Sequence, residues 1–424
     1  MGSKQLTADR ADNKLYPQSK SKMPHVQSRL ILNFSGFEPS SNQRLLGRIL
    51  YSIDKAKQLW GIETKVLETT SHQNKPHSVC QLDAAGENWK ISARIVQLGF
   101  GEIVGKYQVD SNPYLLVKNF LKYLTLLFDG TFIKYVRLTI LFWVFFLYPL
   151  AVSIFFGGVS YFATDYLFRT LFELPVNPAP KFLTGVLFFF LLCRWPGKYL
   201  RYTLALALWG FSYDIARGNN YDITKCVSEF SEILSYEVGA QEYDEITIVG
   251  HSFGASWAAL SLSAALQNSK NLVDKKKVTF LLLGSHLLSV ALIDRAGVIK
   301  RIIAQLAQKN ELFWHEMYFK FDVISLYPAD LFHNLDLPTA NGGYKITKVN
   351  FKASMKTQRF WNMMRSFYYT HRQYVLYHDN RVNTDLMLHI LGPISAKELA
   401  LYSEDKCLEK LAFDYHFNRE SSAR

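Results

Sequence analysis

The hydrophobic pattern divides the chain into a mixed α/β part and an apolar middle section. Short runs of β-branched and aromatic residues predict strands at 28–34, 61–69, 78–84, 88–98, 245–250, 277–284, 313–322 and 344–352. Helical periodicity predicts helices at 42–59, 221–237, 253–268 and 289–308. Because strands and helices alternate through the second half, we expect an α/β fold whose mostly parallel sheet carries helices on both faces.

The apolar middle section predicts a membrane-embedded helical hairpin over 131–204. Residues 138–164 carry no charge, and as a helix they would extend about 40 Å, more than a hydrocarbon core needs. The second apolar run, 182–193, would extend only about 18 Å and needs its flanks, roughly 180–198, to cross. Whether it spans fully, or is buried or re-entrant, stays open. Residues 203–213 are too short to span and should lead back into the soluble part.

The hairpin is therefore inserted between two halves of one soluble domain, 26–130 and 205–424. Lys and Arg concentrate before the first apolar run and after the second, which places both flanks on the cytoplasmic side. Residues 1–25 are polar and lack the apolar core of a secretory signal, so we expect a disordered tail. The sequence thus predicts an integral membrane protein whose soluble halves fold together in the cytoplasm.

Composition narrows the classes of partner and cofactor. With 49% hydrophobic and 20% charged residues, a disordered chain is excluded. The net charge is +12, and the basic residues that produce it are scattered, which favours contact with an anionic lipid bilayer over nucleic acid. The four cysteines lie far apart, and the chain has no P-loop, G-x-G-x-x-G, H-E-x-x-H or calcium loop. We expect no cofactor and no metal; the oligomeric state is not readable.

A buried strand followed by Gly-His-Ser-Phe-Gly and an Ala- and Leu-rich helix marks the candidate site. This strand, G-x-S-x-G, helix order is typical of a nucleophile elbow, a sharp turn that exposes a serine hydroxyl. Gly250 and Gly254 would keep side chains out of the crowded turn around His251. We therefore predict Ser252 as the nucleophile, with an incidental strand-to-helix turn as the alternative.

A nucleophilic serine needs an imidazole base and a carboxylate that orients it. Asp322 follows an aromatic strand and is the favoured acid, with Asp330 and Asp336 as rivals and a simple capping role as the alternative. His371 comes after the last predicted strand and is the favoured base. His378 and His389 are its rivals.

An oxyanion hole requires two backbone N–H groups near the serine. The residue after the nucleophile, Phe253, would supply one of them. The second would come from Phe37, in the Ser-Gly-Phe loop after the first strand. An ordinary glycine turn is the alternative interpretation of that loop.

Together these motifs resemble the α/β hydrolases, and the Gly-His-Ser-Phe-Gly elbow is similar to the GHSxG elbow of lipases and esterases. The stretch 322–328 is similar to the acid loop of class 3 type lipases. The layout is most similar to bacterial membrane-associated hydrolases, through the loop 34–39, the hairpin, the stretch 244–252 and His-Arg-Gln-Tyr at 371–374. No His-Gly dipeptide precedes the oxyanion loop, which departs from the family pattern.

This resemblance implies an α/β-hydrolase-type sheet interrupted by the hairpin, with Ser252, Asp322 and His371 as catalytic triad. It implies a serine esterase or lipase in a bacterial inner membrane that cleaves a lipid or another apolar acyl ester through an acyl-enzyme. Two alternatives remain: an acyltransferase that uses the same acyl-enzyme, and a noncatalytic membrane scaffold. The exact substrate and its acyl chain length are not readable from the sequence.

Overall fold

One eight-stranded sheet organises the protein. The computed structural model describes residues 26–71, 76–86, 89–108, 112–170 and 178–402. The strands are β1 (Ser28–Phe34), β2 (Glu63–Ser71), β3 (His77–Ala85), β4 (Lys90–Leu98), β5 (Glu245–His251), β6 (Val278–Leu283), β7 (Leu312–Phe319) and β8 (Tyr344–Val349). Their order across the sheet is β2-β3-β4-β1-β5-β6-β7-β8. Only the β2–β3 and β3–β4 pairs are antiparallel, so the sheet is mostly parallel as predicted.

Helices account for most of the remaining described chain. They are α1 (Asn42–Trp60), α2 (Gly101–Tyr107), α3 (Pro113–Phe128), α4 (Thr131–Leu138), α5 (Ile140–Thr170), α6 (Pro178–Arg194), α7 (Pro196–Tyr199), α8 (Tyr202–Arg217), α9 (Tyr221–Ala240), α10 (Gly254–Asn268), α11 (Leu287–Leu292), α12 (Gly297–Ala307), α13 (Leu331–Asn334), α14 (Phe351–Ser354), α15 (Thr357–Met364), α16 (Phe367–Arg372), α17 (Leu386–Leu391) and α18 (Ala396–Leu401).

Both faces of the central strands are covered, which is why these strands are apolar along their whole length. Every residue of β5, β6 and β7 is buried. One apolar core includes side chains of α8, α9, α10 and α12 beneath one face, and the other includes side chains of α1, α15 and α17 beneath the opposite face. The expected α/β layering, with helices on both sides of the sheet, is confirmed.

Strands from both halves of the chain meet at the centre of this sheet. β1 pairs in parallel with β4 on one side and with β5 on the other, although the long helices α3 to α9 separate β4 from β5 in sequence. A buried ion pair of 2.7 Å between Arg29 and Glu245 joins the two central strands. Arg29 also donates hydrogen bonds to the carbonyls of Gly392 and Ile394, so the last described segment is fixed to the same point.

Several sequence-based boundaries were wrong, among them that of the strand expected at 344–352, which ends at Val349. The helix expected at 289–308 is two helices, α11 and α12, because the backbone leaves the helical region at Ile293, whose ψ is 140°, and at Arg295, whose φ is 65°. A residue in this left-handed region cannot continue a right-handed helix. The strand expected to reach Asp322 ends at Phe319, and Asp322 lies in the loop that follows. The tail predicted at 1–25 lies outside the described residues, as does the end of the second half beyond Tyr402.

The apolar middle section forms two long helices that pack against each other. Within the described chain α5 is the one helix long and apolar enough to cross a membrane, with a mean hydropathy of 2.2 in its most apolar window. A third of that window is buried inside the protein. Phe142 and Phe146 lie in the core, whereas Ile154, Phe155 and Phe162 are exposed. The start of α5 is therefore part of the soluble body, and its later turns present apolar side chains outward.

The second helix, α6, has 17 residues and ends at Arg194. At about 1.5 Å per residue it extends roughly 25 Å, slightly less than a hydrocarbon core. Its outer surface is apolar, since Phe182, Leu183 and Leu187 are each more than half exposed. The next long helix, α8, is mostly buried, and its side chains belong to the apolar core beneath one face of the sheet.

Candidate active site

Ser252 lies at the tightest turn of the sheet. It follows β5 directly and has a φ of 57°, a left-handed conformation that costs a non-glycine residue energy. Its N–H bonds to the carbonyl of Leu283 at 3.0 Å, and its carbonyl accepts from the N–H of His286 at 3.2 Å. The backbone thus anchors the strained serine to the end of β6.

Glycines are required around this turn because backbone atoms approach them closely. A Cβ on Gly250 would lie 2.6 Å from the Cα of Ala255, and one on Gly254 would lie 2.2 Å from the carbonyl oxygen of Phe34. No side chain fits at either distance. The two glycines that the motif predicted as spacers therefore allow α10 to start directly against β1 and β5.

The loop after β1 lies directly against the serine. A Cβ on Gly36 would be 3.3 Å from the Cβ of Ser252 and 2.9 Å from Nδ1 of His251. The rings of Phe37 and Phe253, the two predicted oxyanion donors, are buried 5.8 Å apart. Neither backbone N–H of these two residues donates to another group in the described chain. Because buried N–H groups are rarely left unpaired, two unpaired N–H groups here suit the binding of an anion.

Asp322 and His371 form a buried pair. Oδ2 of Asp322 lies 2.7 Å from Nδ1 of His371, which is carried by α16. Asp322 Oδ1 accepts from the N–H of Ile324, and Oδ2 also accepts from the Tyr374 hydroxyl at 3.1 Å. Burial alone would raise the pKa of Asp322, but His371 and these hydrogen bonds outweigh it and lower the pKa. The acid is therefore an anion that holds the Nδ1 proton of His371.

The other ring nitrogen of His371 is free and lies close to the elbow. Nε2 is buried and has no hydrogen-bond partner among the described residues. Gly284, which follows the Leu283 carbonyl that anchors Ser252, has a φ of 50°, and a Cβ there would lie 3.1 Å from Cε1 of His371. No hydrogen bond joins His371 to the Ser252 hydroxyl in the described structure. Such a contact often tightens only when substrate binds.

His251, the variable residue of the motif, positions His371. Its Nε2 lies 3.0 Å from the carbonyl oxygen of His371, and the two rings are 5.1 Å apart. Burial and the charge that His371 would carry lower the pKa of His251 to about 3. The neutral ring therefore donates an Nε2 proton to that carbonyl.

The rival residues lie elsewhere in other roles. Asp330 caps α13 by accepting from the N–H of His333. His378 bonds the Ser354 hydroxyl at 2.8 Å, and His389 packs beside His315 with ring centres 5.9 Å apart. None of these residues, nor Asp336, forms a hydrogen bond to Ser252, Asp322 or His371 among the described contacts.

Sequence reasoning missed two residues of this site. Tyr374 donates to Asp322 and accepts from the N–H of Phe319, so it fixes the acid loop to the end of β7. His286 follows β6, and its ring stacks on Phe253 at 4.4 Å with an angle of 5°. The Gly-Ser-His turn after a buried strand was the available signal for His286, because carboxyl ends of parallel strands meet at one edge.

The site is closed and borders α5. Ser252 is 4% exposed and His371 is 6% exposed. Phe145 of α5 packs on Phe367 of α16, the helix that carries His371, with ring centres 6.0 Å apart. Apolar side chains therefore separate the catalytic groups from water on this side.

Across the described ranges, no group of three or more His, Cys, Asp or Glu side chains is arranged to hold a metal ion. The buried groups gathered in the site include the Ser252 hydroxyl and the imidazole of His371, which Asp322 orients. Comparison of the chain with protein-family models, with curated proteins and with solved structures gives no match.

Proposed function

We propose that this protein is a membrane-anchored serine hydrolase of the α/β-hydrolase type that cleaves an ester of a lipid or another apolar acyl substrate. The observation that carries the proposal is the placement of a strained Ser252 at a glycine-lined turn, beside a buried Asp322–His371 pair whose Nε2 is free. A structural turn has no need of a serine at a φ of 57° or of an oriented imidazole next to it.

In the proposed mechanism the Ser252 hydroxyl attacks the ester carbonyl carbon and passes its proton to His371 Nε2. The carboxylate of Asp322 stabilises the imidazolium that forms. The carbonyl oxygen becomes an anion that the N–H groups of Phe253 and Phe37 bind. The imidazolium then protonates the leaving alcohol, and the acyl group stays on Ser252 until water releases it.

The apolar surroundings support an apolar acyl substrate held near a bilayer. His286, 5.8 Å from His371, also lies 6.4 Å from Phe142 at the start of α5. The same helix presents exposed Ile154, Phe155 and Phe162 further along. An anchor that begins beside the nucleophile would keep the active site at the membrane surface, where such esters are concentrated.

The deciding experiment is covalent labelling of the detergent-solubilised protein with a fluorophosphonate probe. We expect the wild type to be labelled at Ser252, and Ser252→Ala to lose labelling and esterase turnover while its melting temperature changes little. Ser261→Ala is the matched control, because it removes another buried serine hydroxyl, in α10 rather than at the turn. An unlabelled wild type would instead favour a noncatalytic membrane scaffold.

A further inference from the structure

His286 is a buried imidazole beside the nucleophile that the mechanism above does not use. It is 2% exposed and lies at the turn between β6 and α11. The backbone N–H of His286 donates to the carbonyl of Ser252. The imidazole ring stacks on the ring of Phe253, a predicted oxyanion donor. The residue is thus fixed to both sides of the elbow, and its ring is held in one orientation.

The hydrogen bonds of Ser289 determine which nitrogen of His286 carries the proton. The Ser289 hydroxyl donates to the His286 carbonyl at 2.8 Å, so its hydrogen is already used. The contact of 2.9 Å between Ser289 Oγ and His286 Nδ1 must therefore be a donation from Nδ1–H. Burial lowers the pKa of His286 to about 3, so the ring is neutral. Nε2 is consequently a bare lone pair.

This lone pair has no hydrogen-bond partner in the described chain, and a second unpaired ring nitrogen lies near it. Nε2 of His286 and Nε2 of His371 are both buried acceptors without a hydrogen bond. The two ring centres are 5.8 Å apart. A water that forms hydrogen bonds of ordinary length to two nitrogens bridges a gap of ~4.5 Å. Nitrogens of two rings centred 5.8 Å apart can approach that closely. A water molecule can donate one hydrogen to each of these two nitrogens, whereas a simple alcohol has only one O–H hydrogen.

We propose that His286 Nε2 is the second binding group for the water that hydrolyses the acyl-enzyme, so that the site favours hydrolysis over acyl transfer to an alcohol. The inference rests on the proposed serine-hydrolase function. The water oxygen forms a bond to the acyl carbon, and one water proton moves to His371 Nε2. The other hydrogen stays on oxygen and is held by His286 Nε2. The carbon–Oγ bond then breaks, Ser252 regains a proton from His371, and the acid is released.

The test separates acylation from deacylation. In detergent micelles, p-nitrophenyl butyrate should give a burst of p-nitrophenol from the acylation of Ser252, followed by slower turnover limited by deacylation. We expect His286→Phe to keep the burst amplitude and to slow the steady rate about tenfold, the effect of one neutral hydrogen bond. Phe retains the stacking on Phe253 but removes the acceptor.

Added methanol supplies a second readout that a merely structural role would not change. Methanol needs only His371 to take its proton, so the ratio of free acid to methyl ester should fall about tenfold in His286→Phe. His286→Gln, whose amide oxygen can accept the same hydrogen bond, should recover part of the ratio. His389→Phe is the matched control, since it removes another fully buried, neutral histidine outside the site.

Three results would overturn the inference. The first is a folded His286→Phe with an unchanged steady rate and product ratio. The second is an equal loss of burst and steady rate, which would assign His286 to the elbow's structure. The third is the same ratio change in His389→Phe. A wild type with neither burst nor fluorophosphonate label would refute the hydrolase function itself.

Discussion

Gly36→Ala tests whether the loop after β1 forms part of the oxyanion hole. A Cβ at this position would lie 2.9 Å from Nδ1 of His251, where ordinary contact begins at 3.4 Å. The loop or the ring must therefore move by about 0.5 Å. Oxyanion donors act over a narrow range, about 2.7 to 3.1 Å, so a shift of this size takes the Phe37 N–H out of reach.

We expect the loss of one donor to lower kcat for p-nitrophenyl butyrate by about 10²- to 10³-fold, or about 3 to 4 kcal/mol of transition-state stabilisation. KM should change much less than kcat, and the melting temperature should fall only modestly, because the atoms nearest to the added methyl group belong to the side chains of His251 and Ser252 rather than to the backbone. The assay is steady-state turnover in detergent, combined with the rate of fluorophosphonate labelling, since both reactions need the same anion site.

Gly47→Ala is the matched control. This glycine lies in α1, and a Cβ there would meet nothing within 4 Å. Alanine in a helix interior stabilises by about 1 kcal/mol relative to glycine, so this variant should be as active as the wild type and slightly more stable. A folded Gly36→Ala with wild-type kcat would refute the role of this loop and leave only the Phe253 donor.

Two further predictions concern a buried acid and the membrane helix. Burial raises the pKa of Glu316, which accepts from the Tyr344 hydroxyl, to about 7, above its unfolded value of about 4.3. Between these two pH values the folded protein binds a proton that the unfolded chain does not, so the free energy of unfolding should fall by about 3 kcal/mol from pH 4.5 to pH 7.5. Urea titrations of Glu316→Gln should lack this loss. If the free energy of unfolding falls equally with pH in the wild type and in Glu316→Gln, the assignment is wrong. Phe162→Asp places a charge on the exposed face of α5 and should increase the fraction of protein that alkaline carbonate extracts from membranes. Tyr236→Asp on α9 is the control and should not change this fraction. Equal extraction of the two variants would argue against an embedded α5.

The sheet could be predicted from the sequence because its strands are buried on both faces. Runs such as 245–250 and 277–284 are mostly apolar or β-branched and are bounded by glycine or charge, so their limits fall within a residue or two of β5 and β6. The break between α11 and α12 could not be predicted in the same way. The helical pattern of apolar residues resumes after Asp294 and Arg295, and the break appears only in the backbone, which leaves the helical region at Ile293 and at Arg295.

The candidate site was predictable where a local motif marks it and unpredictable where it depends on packing. Ser252 is marked by its neighbours in sequence, and the pairing of Asp322 with His371 agrees with the expected chain order. His286 has only the Gly-Ser-His turn after β6 as a mark, and Tyr374 only its place in the stretch 371–374; neither mark states a role. Their roles depend on the ends of β6 and β7 meeting beside β5, a relation that exists only after the sheet is formed.

The central position of β1 determines the order of events during synthesis. Arg29 and Glu245 are 216 positions apart, so at about 5 to 20 residues per second the ribosome needs roughly 10 to 40 s to supply the partner strand. During that interval β1 has an open edge towards β5, and the apolar helix α5 has already emerged. If α5 is the membrane anchor proposed above, it can insert before the sheet closes, while the edge of β1 is still unpaired. A two-domain protein with consecutive sheets would not leave the edge of a central strand open to pairing with other chains for this long.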